Sequence, residues 1–188
     1  MKILLSFIFS FFLLSFSFAE EKNPVVLIKT NMGDIYVELY PNKAPITVEN
    51  FLKYVKDGFY NGLIFHRIVP NFVIQGGGFY PDMTPKKPTY PPIKNESDNG
   101  LSNLRGTIAM ARTMDPHSAT SQFYINLKDN TFLDYGKTPQ GWGYTVFGKV
   151  IKGMDVVDKI SQVETRSIGY FQGVPVKPVI IEKMEVIK

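Results

Sequence analysis

One arginine and one glutamine stand out in the stretch FHRIVPNFVIQGGG, residues 65–78. Arg67 interrupts an apolar, strand-like run, and Gln75 comes just before three glycines. Because side chains along a strand alternate between its two faces, Phe65, Arg67 and Val69 are predicted to share one face. A guanidinium among apolar neighbours is costly unless it has a partner or a task. On the residues alone, Arg67 is either paired with a carboxylate or used for binding.

The composition excludes several kinds of chemistry. The 188 residues contain no cysteine, which removes disulfides, thiolate metal sites and thiol nucleophiles. The two histidines, His66 and His117, do not form an HExxH motif, and no GxSxG motif marks a serine nucleophile, so we expect no metal site. No phosphate-binding glycine motif is complete, and we expect no cofactor. The net charge of +4 is modest and no Lys or Arg run exceeds Lys86-Lys87, so nucleic acid is not an expected partner.

The remaining candidates are one arginine beside aromatic residues, two amides in strand-like runs (Gln75 and Gln122) and many apolar side chains. These residue types can bind and orient a molecule through hydrogen bonds and apolar contacts. They suit a reaction that breaks no bond and moves no proton.

The first nineteen residues, MKILLSFIFSFFLLSFSFA, differ from the rest of the chain. Lys2 precedes an apolar stretch that runs to Phe16, and Ser17-Phe18-Ala19 matches the small-x-small pattern of a cleavage site. We predict a signal peptide over residues 1–19 and a mature domain over residues 20–188, without stable membrane insertion after cleavage. The competing interpretation is an uncleaved anchor, for which the apolar stretch is at the low end of the required length.

The mature sequence predicts a β-rich domain with two helices. Val25–Lys29 and Ile35–Leu39 flank turn residues and predict a β-hairpin. Apolar residues at helical spacing predict one helix in APITVENFLKYVKDG, residues 44–58, and another over Met154–Ile160. Many short strands bounded by Gly and Pro favour an antiparallel barrel or sandwich whose open ends the helices cover. The other predicted strands are 63–69, 72–75, 107–112, 122–127, 145–150 and 178–187.

Four blocks in order along the chain resemble the cyclophilins, a family of peptidyl-prolyl cis–trans isomerases. They are FHRIVPNFVIQGGG (65–78), GTIAMAR (106–112), SQFYINL (121–127) and VFGKVIKGMDVVDKI (146–160). The stretch PPIKNESDNGLSNLRGTIAMART, residues 91–113, is most similar to the bacterial periplasmic branch. The resemblance covers residues 25–187. It implies an eight-stranded antiparallel β-barrel capped by two α-helices, with proline-containing polypeptides as substrates.

The resemblance also assigns roles by position. Arg67 matches the family's catalytic arginine, and Phe72 and Gln75 stand beside it in the active site. The other matching positions line the proline pocket or pair with the substrate backbone: Val73, Ala111, Arg112, Gln122, Tyr124, Phe132, Leu133 and Tyr144.

Five of these positions differ from the familiar eukaryotic pattern of the family. This chain has Val73 where that pattern has methionine, Arg112 in place of asparagine, Tyr124 in place of phenylalanine, Phe132 in place of tryptophan and Tyr144 in place of histidine. The pocket keeps its apolar or aromatic character, so isomerase activity is expected. The missing tryptophan at Phe132 predicts weak binding of cyclosporin. The only tryptophan, Trp142, lies in the nearby QGWGY loop, and the sequence leaves open whether it takes that place.

We therefore predict a monomeric, periplasmic peptidyl-prolyl cis–trans isomerase that acts on folding proteins. One alternative is a non-catalytic module that binds proline-containing segments as a chaperone or scaffold. A hydrolase is a third class, which the missing nucleophile argues against. The signal peptide alone does not separate a bacterial periplasm from a eukaryotic secretory lumen.

Overall fold

The computed structural model describes residues 23–188, so the predicted signal peptide lies outside the described residues. In this part of the chain, short strands and two α-helices follow one another. In order, they are β1 (Val25–Thr30), β2 (Gly33–Leu39), α1 (Pro45–Lys56), β3 (Arg67–Val69), β4 (Val73–Gly76), β5 (Thr107–Met110), β6 (Phe123–Asn126), a short 3-10 helix (Thr131–Leu133), β7 (Val146–Lys152), α2 (Met154–Ser161), β8 (Thr165–Ile168), β9 (Phe171–Pro175) and β10 (Ile181–Val186).

Eight strands form one curled sheet in the order β10-β1-β2-β7-β5-β6-β4-β3, with antiparallel neighbours throughout. The ends of this sheet meet through residues that precede its two edge strands. Ile64 forms an antiparallel bridge with Ile180, and the Phe65 N–H donates to the Val179 carbonyl at 3.0 Å. The predicted eight-stranded antiparallel architecture with two helices is confirmed, and a short bridge joins its edges.

The main hydrophobic core contains the inward side chains of the sheet and the apolar face of α1. The Phe51 ring of α1 lies 5.5 Å from Tyr60, 5.6 Å from Phe123 and 5.1 Å from Phe147, measured between centroids. Helix α1 begins at Pro45, which suits the first helical position because its missing N–H would be unpaired there. Glu96, from the long segment between β4 and β5, accepts the next N–H groups of the helix.

A two-residue alternation on the strands separates the core from an outer face. Ile74 of β4 and Ile125 of β6 belong to the main core, whereas Val73 and Tyr124 belong to a second, smaller apolar cluster. The predicted shared face of Phe65, Arg67 and Val69 is wrong for Phe65, which is fully buried in the main core. The reason is that β3 begins only at Arg67, so the alternation does not extend back to Phe65.

Strands β8 and β9 form a separate two-stranded hairpin that the sequence did not predict. Gly173 of β9 has a φ of +72°, and a Cβ added there would lie 2.6 Å from the carbonyl oxygen of Ile68. The backbone of the hairpin therefore packs directly on β3, beside Arg67. Only glycine permits this approach at that backbone angle.

Within residues 23–188, neither helix combines the length and the apolar character that crossing a bilayer requires.

Candidate active site

Two of the three predicted catalytic residues, Arg67 and Gln75, lie side by side on the outer face of the sheet. Arg67 of β3 is the register partner of Gln75 in β4, and Gln75 is the partner of Tyr124 in β6. Tyr124 in turn faces Ala109 of β5. This row crosses four strands, so its spacing is set by the backbone ladder and not by a flexible loop.

A cleft of about 300 Å³ opens over this row and over the smaller apolar cluster. Its size lies at the lower end of the range for ligand pockets. Nine of the predicted site residues line it: Arg67, Phe72, Val73, Gln75, Ala111, Arg112, Tyr124, Leu133 and Tyr144. We name this space the proline cleft, after the role that the resemblance implies for these positions. Gln122 and Phe132 lie at its edges and do not line it.

The Arg67 guanidinium is half-buried at the rim of the proline cleft. Its Nη1 donates to the Gln75 Oε1 at 3.4 Å, and its Cζ lies 5.6 Å from the centroid of the Phe72 ring. None of the ion pairs among the described residues includes Arg67. The carboxylate partner that the residues alone made possible is therefore absent from this part of the chain, and most of the guanidinium donors point to no protein acceptor.

Gln75 and Gln122 form a hydrogen-bonded amide pair behind the arginine. The Gln75 Nε2 donates to the Gln122 Oε1 at 3.0 Å, which leaves the Gln75 Oε1 facing Arg67. An amide has both a donor and an acceptor group, so the pair fixes which end of Gln75 faces the guanidinium. Gln122 thus acts on the cleft through Gln75.

A buried polar network holds the floor of the proline cleft. The Tyr124 hydroxyl donates to the Asn103 Oδ1 at 2.7 Å, and the Asn130 Nδ2 donates to the Phe72 carbonyl at 3.0 Å. Burial raises the pKa of Tyr124 well above its usual value, with smaller contributions from Tyr144 and Asp134, so the phenol stays protonated and can donate. Asn103 and Asn130 were missed from the sequence, because their partners lie far away along the chain.

Arg112 forms one wall of the cleft and is clamped by backbone carbonyls. Its Nη2 donates to the Trp142 carbonyl at 2.7 Å, its Nε to the Gly143 carbonyl at 3.1 Å and its Nη1 to the Thr113 carbonyl at 2.9 Å. Its Cζ lies 4.5 Å from the centroid of the Tyr144 ring. The cation is thus held flat against the aromatic wall, an arrangement that suits arginine better than lysine.

The aromatic residues around the cleft divide into two groups. Phe132 is 55% exposed and stacks on Phe72 with centroids 5.9 Å apart, so it extends the rim. Trp142 packs against Tyr135 and His117 at 5.5 and 5.2 Å. Trp142 does not line the proline cleft and does not take the place of the tryptophan that the eukaryotic pattern has at Phe132.

Two further cavities adjoin the cleft and include residues that the sequence did not single out. The first, of about 170 Å³, lies between Arg112 and Thr120. The second, of about 380 Å³, lies between Arg67 and the tip of the β8–β9 hairpin, and we name it the hairpin cavity. His66 lines the hairpin cavity, and its Nδ1 has no hydrogen-bond partner. Burial, with a smaller contribution from Arg67, lowers the pKa of His66 to about 4.

In the described part of the chain, no group of three or more His, Cys, Asp or Glu side chains lies close enough together to hold an ion. The arrangement can instead seat an apolar ring in the proline cleft and direct charged N–H donors at an adjacent acceptor.

Comparisons with known proteins agree on one family. The family model described as "Cyclophilin type peptidyl-prolyl cis-trans isomerase/CLD" matches residues 25–186. A relative from Dickeya dadantii, called peptidyl-prolyl cis-trans isomerase A, is 56% identical over 172 residues, which are 92% of this chain and 89% of the relative. Peptidyl-prolyl cis-trans isomerase B of Escherichia coli is also 56% identical, over 86% of this chain and 99% of its own.

Solved structures show the same fold. A Cryptosporidium parvum cyclophilin, crystallised in the presence of the dipeptide Ala-Pro, matches with a TM-score of 0.72 and 28% identity. The match covers 87% of this chain and 99% of that one. With the family model matched over nearly the whole described domain, the chain belongs to the cyclophilin-type peptidyl-prolyl cis–trans isomerases.

Proposed function

We propose that the proline cleft accelerates rotation about X-Pro bonds in exported polypeptides, with Arg67 as the catalytic residue. An X-Pro amide resists rotation because resonance gives its C–N bond partial double-bond character, with a barrier of about 18–20 kcal/mol. Midway through the rotation this resonance is lost, and the proline nitrogen gains a basic lone pair. A donor that meets that lone pair binds the twisted amide better than either planar form, and such differential binding lowers the barrier.

The observation that carries this proposal is the Arg67 guanidinium, which has no ion pair among residues 23–188, beside the apolar cluster of the proline cleft. Arginine is always charged and presents several fixed donors, so it can stabilise the lone pair without exchanging a proton. Its one side-chain acceptor in the described part of the chain, the Gln75 Oε1 at 3.4 Å, orients the group and leaves other N–H donors for the substrate. A carboxylate in the same position would have occupied them.

Other residues must supply part of the acceleration. An aligned donor in a dry site contributes about 3–4 kcal/mol, whereas a ten-thousandfold acceleration needs about 5.4 kcal/mol. Phe72, Tyr124 and Leu133 would hold the proline ring and exclude water while the preceding carbonyl turns. Water exclusion also strengthens the Arg67 contact, because the local dielectric falls. The substrate backbone would lie along Ala111 and Arg112 as an added strand.

Exchange NMR on a short X-Pro peptide tests the role of Arg67. We expect Arg67→Ala to lower kcat/KM by about a hundredfold to a thousandfold, the loss typical of removing one transition-state donor. The folded structure should persist, because Arg67 is only half-buried and has no ion pair among the described residues. The kcat/KM of Arg67→Lys should lie between those of wild type and Arg67→Ala, since a lysine keeps the charge and loses the planar, fork-shaped set of donors.

Arg105→Ala is the matched control, because Arg105, unlike Arg67, forms an ion pair with a carboxylate. It bonds Asp158 at 2.8 Å, and both side chains are about half-exposed, so the pair contributes little. This variant should retain wild-type turnover. If wild-type protein leaves the peptide at its spontaneous rate and only binds it, the non-catalytic alternative is correct. If the peptide is cleaved, the hydrolase alternative is correct.

The N-terminal sequence supports the exported location. We propose that residues 1–19 direct the chain to the bacterial periplasm and are removed after Ala19. The test is expression of the full sequence in a bacterium, followed by fractionation and mass spectrometry of the mature protein. We expect periplasmic protein that begins at Glu20. Intact protein in the membrane fraction would establish the uncleaved anchor instead.

Weak binding of cyclosporin is a further expectation. Phe132 supplies a phenyl ring, stacked on Phe72, where the eukaryotic pattern has an indole, and Trp142 packs elsewhere. Titration calorimetry should therefore give a dissociation constant in the micromolar range or weaker. Nanomolar affinity would contradict this account of the rim.

A further inference from the structure

We propose that the hairpin cavity is a specificity subsite that takes an apolar or aromatic side chain of the substrate, from a residue close to the isomerised proline. This inference rests on the proposed function, since it places the substrate in the proline cleft. It adds a second anchoring point, built by the β8–β9 hairpin, which the sequence did not associate with the site.

The hairpin cavity adjoins the proline cleft. Arg67 and Gln75 line both spaces, so the two are separated only by the catalytic side chains. A peptide whose proline ring fills the cleft must run past Arg67, and a side chain near the proline can then turn into the hairpin cavity. The volume of about 380 Å³ is sufficient for an aromatic ring. The substrate itself is therefore the natural occupant.

The far wall of the cavity exposes aromatic surface. Tyr170 is fully exposed at the tip of the hairpin, and Phe171 is 44% exposed. The Phe171 ring packs edge-on against Phe79, at 5.3 Å between centroids, which fixes its position. Tyr170 and the exposed part of Phe171 leave apolar surface in contact with water in the free protein. Such residues are typical of surfaces that bury them on binding.

The near wall of the cavity combines the imidazole of His66 with the uncharged amides of Gln75 and Gln122. His66 is buried and packs on Phe79 at a tilt, with ring centroids 4.5 Å apart, and its Nδ1 has no hydrogen-bond partner among the described residues. With a pKa of about 4, its imidazole is neutral at physiological pH. Of the described residues that line the cavity, none is a carboxylate, and Arg67 is the one that carries a charge. The cavity therefore favours an aromatic or aliphatic side chain and disfavours a cation.

The test uses a host peptide, Ala-Ala-Pro-Ala, in which each alanine in turn is replaced by phenylalanine or by lysine. Exchange NMR gives kcat/KM for each peptide with wild-type protein. We expect one position at which phenylalanine raises kcat/KM about tenfold over alanine, the lower end of the range for one apolar contact. Lysine at that position should give no gain. The ratio of the phenylalanine to the alanine peptide should collapse to about one in Tyr170→Ser/Phe171→Ser.

Two variants keep this result interpretable. Tyr170→Ser alone cannot disturb folding, because the side chain is fully exposed, and it should lower the ratio partially. Ile151→Ser removes an apolar side chain that is 54% exposed on β7 and should leave the ratio unchanged. The proposal is overturned if no position prefers phenylalanine, or if the preference survives in the double variant.

Failure of the subsite and failure of the proposed function give different results. Binding of the phenylalanine peptide is read from the NMR shifts of the Tyr170 and Phe171 rings, which do not depend on turnover. Ring shifts with a rate that Arg67→Ala does not change would keep the subsite and reject the catalytic role of Arg67. Turnover that depends on Arg67, without any ring shifts, would keep the catalytic role and reject the subsite.

Discussion

The neutral imidazole of His66 makes the stability of the protein sensitive to acid. Burial lowers the pKa of this side chain from 6.5 to about 4, with Arg67 as a second cause. The unfolded chain therefore takes up a proton near pH 6.5, whereas the folded protein resists it. The free energy of unfolding should fall as the pH drops from 6.5 through 4, by up to about 3 kcal/mol from this group at 1.36 kcal/mol per pKa unit.

Urea denaturation at pH 7 and pH 4.5 measures this loss. Surface carboxylates also titrate in this range, so the informative quantity is the difference between wild type and His66→Gln. We expect the wild type to lose about 2–3 kcal/mol more than the variant between the two pH values. Equal losses in both proteins would mean that the folded protein can protonate His66 without cost.

Individual site residues could be predicted where they lie in one of the four sequence blocks that resemble the family. Arg67 and Gln75 were identified because a lone cation and an amide stand out in an apolar strand. Long-range partners could not be identified in this way. Tyr124 bonds Asn103, 21 residues away, and Arg112 bonds the carbonyls of residues 30 and 31 positions further along the chain. A carbonyl acceptor is present at every residue, so the sequence contains no signal for it.

Some secondary-structure elements could be predicted from local sequence patterns and others could not. Helices α1 and α2 and the β1–β2 hairpin were predicted from clear periodicity and turn residues, and the structure has all three. The β8–β9 hairpin was not predicted. Its sequence, TRSIGYFQGVP, does not alternate between apolar and polar residues. This agrees with its position in the structure, where most of its side chains are exposed or half-buried. One contact that holds this hairpin is the backbone approach of Gly173 to Ile68, which periodicity cannot reveal.

Gly173→Ala should therefore displace the hairpin from β3. An added Cβ would meet the Ile68 carbonyl oxygen at 2.6 Å, in addition to the strain of a φ of +72°. We expect a loss of about 3 kcal/mol or more in the free energy of unfolding, together with a weaker preference for the phenylalanine peptide.

Gly169→Ala, at the tip of the same hairpin, isolates the strain. Gly169 has a φ of +56°, and no atom lies within 4 Å of an added Cβ. This variant should cost only about 1–2 kcal/mol in urea denaturation. Similar costs for the two variants would show that the hairpin does not depend on its contact with Ile68.

The fold as a whole was predictable from the number of short strands and from four ordered blocks of resemblance. The resemblance implied a barrel, but the residues that close it could not be identified from the sequence, because the closure depends on single contacts between residues that precede the edge strands. Ile64 pairs with Ile180 across 116 residues of chain. The closure nevertheless places β3, and with it Arg67, at a fixed distance from the rest of the cleft.

We expect substitutions in the aromatic core to lower the free energy of unfolding, and substitutions on the outer face of the sheet to lower catalytic activity. Phe51→Ala removes a fully buried ring that packs on Tyr60, Phe123 and Phe147. We expect it to lower the free energy of unfolding by about 3–5 kcal/mol in urea denaturation, with an unchanged m-value. Ile46→Ala, on the exposed side of the same helix, should cost less than about 1 kcal/mol.

Turnover separates the two faces of β6. Phe123 faces the core and Tyr124 faces the cleft. At 25 °C we expect Phe51→Ala to remain largely folded. The kcat/KM of this variant should then stay within about threefold of wild type. A loss of activity as large as that expected for Arg67→Ala, without unfolding, would show that core packing sets the geometry of the proline cleft. The two faces of the sheet would then act as one unit.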